Sequence, residues 1–119
     1  MDKTILVNNI INEGKTLLEK LKKDNIKVHD ALWVLDEESN KWRLILSSPF
    51  VNEKGPLAFQ KLLNKYIYED NTKNLIYNNI SVYPTNNDLI KSLRSIHKVK
   101  SKFYNENPYQ DSYIYFLKN

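Results

Sequence analysis

The side chains in this 119-residue sequence whose types suit chemistry are two histidines, a run of three carboxylates, a serine pair and five cations close together. His29 with Asp30 or Asp36 offers imidazole and carboxylate donors of the kind that hold a divalent metal. Residues 29 and 30 are adjacent, however, so on a strand they point to opposite faces, and His97 lies far away in the chain. Asp36, Glu37 and Glu38 fall in a polar stretch that reads as a hairpin tip, where carboxylates are ordinarily just solvated. A restriction-type nuclease needs an acidic residue and an acidic-x-Lys pair on neighbouring strands. The one acidic-x-Lys instance is Glu13-Gly14-Lys15, in a segment with helical periodicity.

Ser47 and Ser48 would need a base and an oxyanion hole to act as nucleophiles. No Gly-x-Ser-x-Gly elbow surrounds them, and before Pro49 they read as a turn. Gly14 and Gly55 are the only glycines and stand alone, whereas a phosphate-cradling loop uses several. The absence of cysteine excludes disulfides, thiolate zinc sites and thiol nucleophiles. No catalytic, cofactor-binding or metal-ligating residue is assigned on these grounds.

The cations are more informative. Residues 1–60 carry nine acidic and nine basic side chains, and residues 61–119 carry nine basic and five acidic, so the net charge of +4 comes from the second half. Lys91, Arg94 and Lys98 are spaced by three and four and share one helix face, with Lys100 and Lys102 following and Phe103 and Tyr104 beside them. Cations beside aromatics suit nucleic acid, and Tyr113 with Tyr115 on one strand face would suit base stacking or packing under a helix. A modest net charge equally suits a solvated helix face.

These residues need elements to position them. Ile10, Ile11, Leu17, Leu18 and Leu21 predict an amphipathic helix within 4–23, starting nearer Asn9 because Gly14 costs about 1 kcal/mol relative to alanine. Ala31-Leu32-Trp33-Val34-Leu35 is apolar on both alternating faces, as in a strand covered on both sides. In Trp42-Arg43-Leu44-Ile45-Leu46-Ser47, Trp42, Leu44 and Leu46 are expected inward, and Arg43 and Ser47 outward. The polar stretch between them predicts an antiparallel hairpin. Gly55-Pro56 opens a helix burying Leu57, Phe59, Leu62, Leu63, Tyr66 and Ile67. Leu75-Ile76-Tyr77 is a possible short strand, and Ile80-Ser81-Val82-Tyr83 alternates as one. Thr85-Asn86-Asn87-Asp88 resembles a capping box ahead of a helix burying Leu89, Ile90, Leu93 and Ile96, and Ser112–Leu117 closes the chain as an aromatic strand. The order α-β-β-α-β-α-β predicts one α+β domain over 1–119, a small antiparallel sheet around a central hairpin with about three helices.

The words Ala31-Leu32-Trp33, Trp42-Arg43-Leu44, Ser48-Pro49, Gly55-Pro56, Ile80-Ser81-Val82 and Tyr113-Ile114-Tyr115 resemble a group of short, largely uncharacterised bacterial single-domain proteins, from about residue 14 onward. The resemblance implies a stand-alone domain and brings no activity or site residues. With no signal-peptide pattern and no run of ~20 apolar residues, a cytoplasmic protein away from the membrane is expected. The leading expectation is a non-catalytic protein that binds a protein partner or itself, through a sheet face or strand edge. The first alternative is nucleic-acid binding through Lys91, Arg94, Lys98, Lys100 and Lys102. The second is a metal-dependent hydrolase using Asp30, Asp36 or the hairpin-tip carboxylates.

Overall fold

The computed structural model describes residues 8–36, 38–70, 79–103 and 112–118, with the side chains of 8, 70 and 97–103 outside that description. The elements run α1 (Asn8–Lys23), β1 (Asp30–Asp36), β2 (Lys41–Ser47), α2 (Pro49–Lys54), α3 (Pro56–Asp70), β3 (Ile80–Tyr83), α4 (Asp88–Phe103) and β4 (Ser112–Phe116). The expected strand at Leu75-Ile76-Tyr77 lies outside the described residues.

Local chemistry sets several boundaries. Asn25 stops α1 in the left-handed region at φ 62°. Its N–H donates to the Lys22 carbonyl at 3.0 Å while the Ile26 N–H reaches back to Leu21 at 2.8 Å. This paired closure satisfies two carbonyls that the helix end would leave orphaned, and turns Ile26 back onto the core. The β1–β2 hairpin pairs Asp36 with Lys41, and Asn40 supplies the positive φ, 56°, that its four-residue loop requires. Ser48 caps α2 by accepting from the Phe50 N–H at 3.1 Å, with Pro49 at the first helical position. That makes Ser-Ser-Pro a helix start rather than the expected plain turn. Asn87, not Thr85, caps α4, accepting from the Leu89 N–H at 2.8 Å. Thr85 is held instead by the Asn52 side chain.

The sheet order is β3-β2-β1-β4. β1 pairs antiparallel with β2 and β4, but β3 runs parallel to β2, so the sheet is mixed and not wholly antiparallel. The connection holding α2 and α3 carries the chain back to the end where β2 began, as parallel pairing demands.

The hairpin register puts Ala31, Trp33, Leu44 and Leu46 on one face, against Leu17 and Leu21 of α1, Val51 of α2 and Phe59 and Leu63 of α3. Leu32 and Ile45 face the other way, onto Ile90 and Leu93 of α4. The hairpin is thus sandwiched between helices, as the two-sided apolar pattern of β1 implied. The same arrangement overturns the expected outward Ser47, which is fully buried because α4 roofs its face. Leu57, Leu89 and Ile96, expected in the core, are exposed. Among the described residues no helix is long and apolar enough to cross a membrane.

Candidate functional site

Asp30 begins β1 and is completely buried. One carboxylate oxygen, Oδ1, accepts from the Lys118 N–H at 2.8 Å and from Arg94 Nε at 2.9 Å. The other, Oδ2, accepts from the Ser47 hydroxyl at 2.5 Å and from the second guanidinium nitrogen of Arg94, Nη2. Burial alone would push this carboxyl up. The donated bonds from Arg94, Ser47 and the Lys118 backbone outweigh it and hold the group below the usual carboxylate range. Asp30 therefore ties together β1, β2, α4 and the chain just beyond β4.

This arrangement bears on Asp30 as a metal ligand. Both oxygens of Asp30 are occupied by four donors, so a metal ion would have to displace an arginine already in place. Asp36 sits at the far end of β1 and accepts from the Glu38 N–H, a local turn contact; Glu37 lies outside the described residues. Among the described residues no group of three or more His, Cys, Asp or Glu side chains is placed to hold a metal. Neighbouring His29 is half-buried, and its Nδ1 is buried with no hydrogen-bond partner among the described residues. Burial of the ring and the charge of Lys118 lower its pKa, with Asp30 opposing and Arg94 and Lys27 adding to the effect.

Of the five cations, Lys91 is exposed on α4. Arg94, one turn along, turns inward to Asp30 and keeps its side chain 21 % exposed. Lys98, Lys100 and Lys102 continue the helix with side chains outside the described residues, as does His97. Lys91 and Arg94 thus share a helix and not a common exposed surface.

A different place has the shape of a binding site. A groove of about 910 Å³ runs between α1 and β4 and is also lined by the α1–β1 connection. A bulge creates its aromatic floor. Ala31 pairs with Phe116 and Leu32 with Ile114, leaving Tyr115 as the extra residue. Two residues then oppose one, and Tyr113, Tyr115 and Phe116 all line the α1 side. Tyr115 is fixed beneath α1. Its hydroxyl accepts from Trp33 Nε1 at 2.9 Å and donates to the Ile11 carbonyl at 2.5 Å. Burial of that hydroxyl pushes its pKa up to about 12. Gly14 makes the approach possible, because a Cβ there would stand 2.4 Å from the Tyr115 oxygen.

Tyr113 stacks edge-on against Tyr115 at 5.3 Å between centroids. It stays 42 % exposed, and Phe116 stays 40 % exposed. The pair Tyr113–Tyr115, open in the sequence between base stacking and packing, therefore divides: Tyr115 packs and Tyr113 remains accessible. The wall also includes Leu18, Ile26 and Val28 and Lys15, Lys22 and Lys27, with Glu19, Asn25 and His29 beside them. In the sequence Leu18 of these stood out, as part of the core stripe. Their role as a wall depends on β4 coming to lie beside β1 from the far end of the chain. Comparison with protein-family models, with curated proteins and with solved structures finds no match to this chain.

Proposed function

We propose that this chain is a non-catalytic domain that binds a protein partner, and that the partner sits in the groove between α1 and β4. The observation carrying this reading is an apolar groove along the outer edge of a sheet whose last strand is β4. An edge strand offers unpaired backbone donors and acceptors, and the adjoining pocket can select side chains, which is how extended peptides are commonly recognised. The opposite edge is less open, because Gln60 of α3 donates to the Ile80 carbonyl of β3 at 3.3 Å. Nucleic-acid binding would have to work through Lys91, Lys98, Lys100 and Lys102 with Arg94 engaged by Asp30.

The test is selection from a displayed library of random ten-residue peptides, followed by amide hydrogen exchange on the complexes. Selected peptides are expected to slow exchange in Ser112–Phe116 and to lose binding when Phe116 is changed to aspartate. Recovery of no binder, or of binders that protect other segments, overturns the reading.

A further inference from the structure

We infer that the segment occupying the groove is an extended, acidic stretch of another protein carrying an apolar anchor, laid alongside β4 as a fifth strand. The inference rests on the protein-binding reading above and adds the chemistry of the partner.

Charge supports it first. Among the described residues three lysines, Lys15, Lys22 and Lys27, border the groove against one carboxylate, Glu19. None of the three lysines has an ion-pair partner among the described residues, and all are exposed. Lys15 and Lys22 are two helical turns apart on α1, so they present positive charge along the groove and not at a single point. Acidic side chains at alternate positions of an extended segment would meet that row, since a strand sends every second residue to the same side.

The wall chemistry supports it next. The groove also has an apolar part: Leu18, Ile26, Val28 and the exposed ring of Phe116 line it together with Asn25 and His29. One aliphatic or aromatic side chain from the opposite face of the segment would fill that hollow and remove Phe116 from water. A uniformly acidic segment would leave it wet, so the partner alternates acidic and apolar residues.

The same charge argues against a second copy of this chain as the occupant. Pairing β4 with β4 about a two-fold axis would bring two sets of Lys15, Lys22 and Lys27 to one seam with, among the described residues of the groove, two Glu19 carboxylates to offset them. Like charges so juxtaposed disfavour association.

The experiment measures binding of three synthetic peptides with one apolar anchor sequence and flanks of glutamate, serine or lysine, at low and at high salt, with exchange protection of Ser112–Phe116 as the locator. The glutamate peptide is expected to bind about tenfold or more tightly than the serine peptide, as two or three exposed ion pairs allow. The advantage should shrink at high salt. In the Lys15→Glu/Lys22→Glu double variant, whose changes are at exposed positions, the preference should reverse toward the lysine peptide. Equal binding of all three peptides in the groove overturns the acidic partner and leaves the protein-binding reading standing. Absence of β4 protection with every peptide, including those selected from the unbiased library, overturns both. A concentration-dependent dimer that protects Ser112–Phe116 without peptide overturns the foreign partner in favour of a second copy.

Discussion

At the scale of single residues, Arg94 is where a surface role and a structural role give opposite expectations. An arginine serving only as a phosphate ligand contributes little to stability, and its removal is felt in binding alone. Here the guanidinium meets both oxygens of a carboxylate that is wholly out of water. Removing one partner of such a pair leaves the other charge buried and uncompensated, at a cost of about 3–5 kcal/mol. Arg94→Ala is therefore expected to lower the unfolding free energy by about 3 kcal/mol in a urea titration, toward the lower end because the arginine itself is partly exposed. Arg94→Lys should recover only part of this, since a single ammonium cannot reproduce a planar two-nitrogen fork on two oxygens. An Arg94→Ala protein with an unchanged urea midpoint would contradict the structural role. The helix carrying Lys91 and Arg94 was legible in the sequence, but the inward turn of Arg94 was not. Its partner lies 64 positions away, and no local pattern records that pairing.

At the scale of elements, the contact between α1 and β4 depends on one missing methyl group. Gly14 is a poor helix residue, and alanine there should gain about 1 kcal/mol in an unconstrained helix. The added carbon would instead meet the Tyr115 hydroxyl, itself held between Trp33 and the Ile11 carbonyl. Gly14→Ala is accordingly expected to destabilise by about 1–3 kcal/mol, the usual cost of overpacking, with the opposite sign to helix propensity. Tyr115→Phe leaves the Trp33 N–H without its acceptor and should cost about 1–3 kcal/mol on its own. In the double variant the two costs should fall short of their sum, because the oxygen that collides is gone. Thermal melts of the four proteins complete this cycle, and strict additivity would show that Gly14 and Tyr115 do not meet. The elements were visible in the sequence to unequal degrees. α1, the hairpin and α3 carry long periodic patterns and a proline start. α2 has six residues, too few for a 3.6-residue period to register, although Ser48-Pro49 is a cap followed by a first-turn proline. The parallel direction of β3 follows from the helical crossover before it, which alternation within four residues cannot report. Ser47 was placed outward because alternation separates two faces without saying whether both are covered. The groove was the least legible feature, since it needs the register of β4, its bulge and the angle of α1 together.

At the scale of the whole molecule, the joint at Asp30 and its neighbour His29 make stability a function of pH through two groups. Asp30 has its pKa depressed in the folded state, against about 3.9 when unfolded. A group shifted in this direction contributes its full stabilisation above the unfolded value and loses it as pH falls through the folded one. His29 next to it is also depressed, by burial first and then by Lys118, against about 6.5 when unfolded. Its neutral form is the one the fold accommodates, so stability is complete above that value. Below it the unfolded chain takes up the proton first, and stability falls until the folded ring is protonated too. Both limbs slope the same way, but they are separable by substitution. His29→Gln should flatten the loss that begins below about pH 6.5 while leaving the steeper decline below about pH 4 in place. Asp30→Asn should do the reverse: a large deficit relative to the native protein at neutral pH that narrows as pH drops below about 4. Urea unfolding at closely spaced pH values, referenced to the native chain, reads both differences directly. A deficit of Asp30→Asn that stays constant down to pH 2 would mean that the carboxylate's charge is not what joins β1, β2, α4 and the chain after β4. Since those parts hold the sheet against α4 and set the end of β4, the same acid titration is expected to open the groove before the α1–α3 side of the core is lost. That order is measurable as earlier loss of exchange protection in Ser112–Phe116 than in Leu44–Leu46.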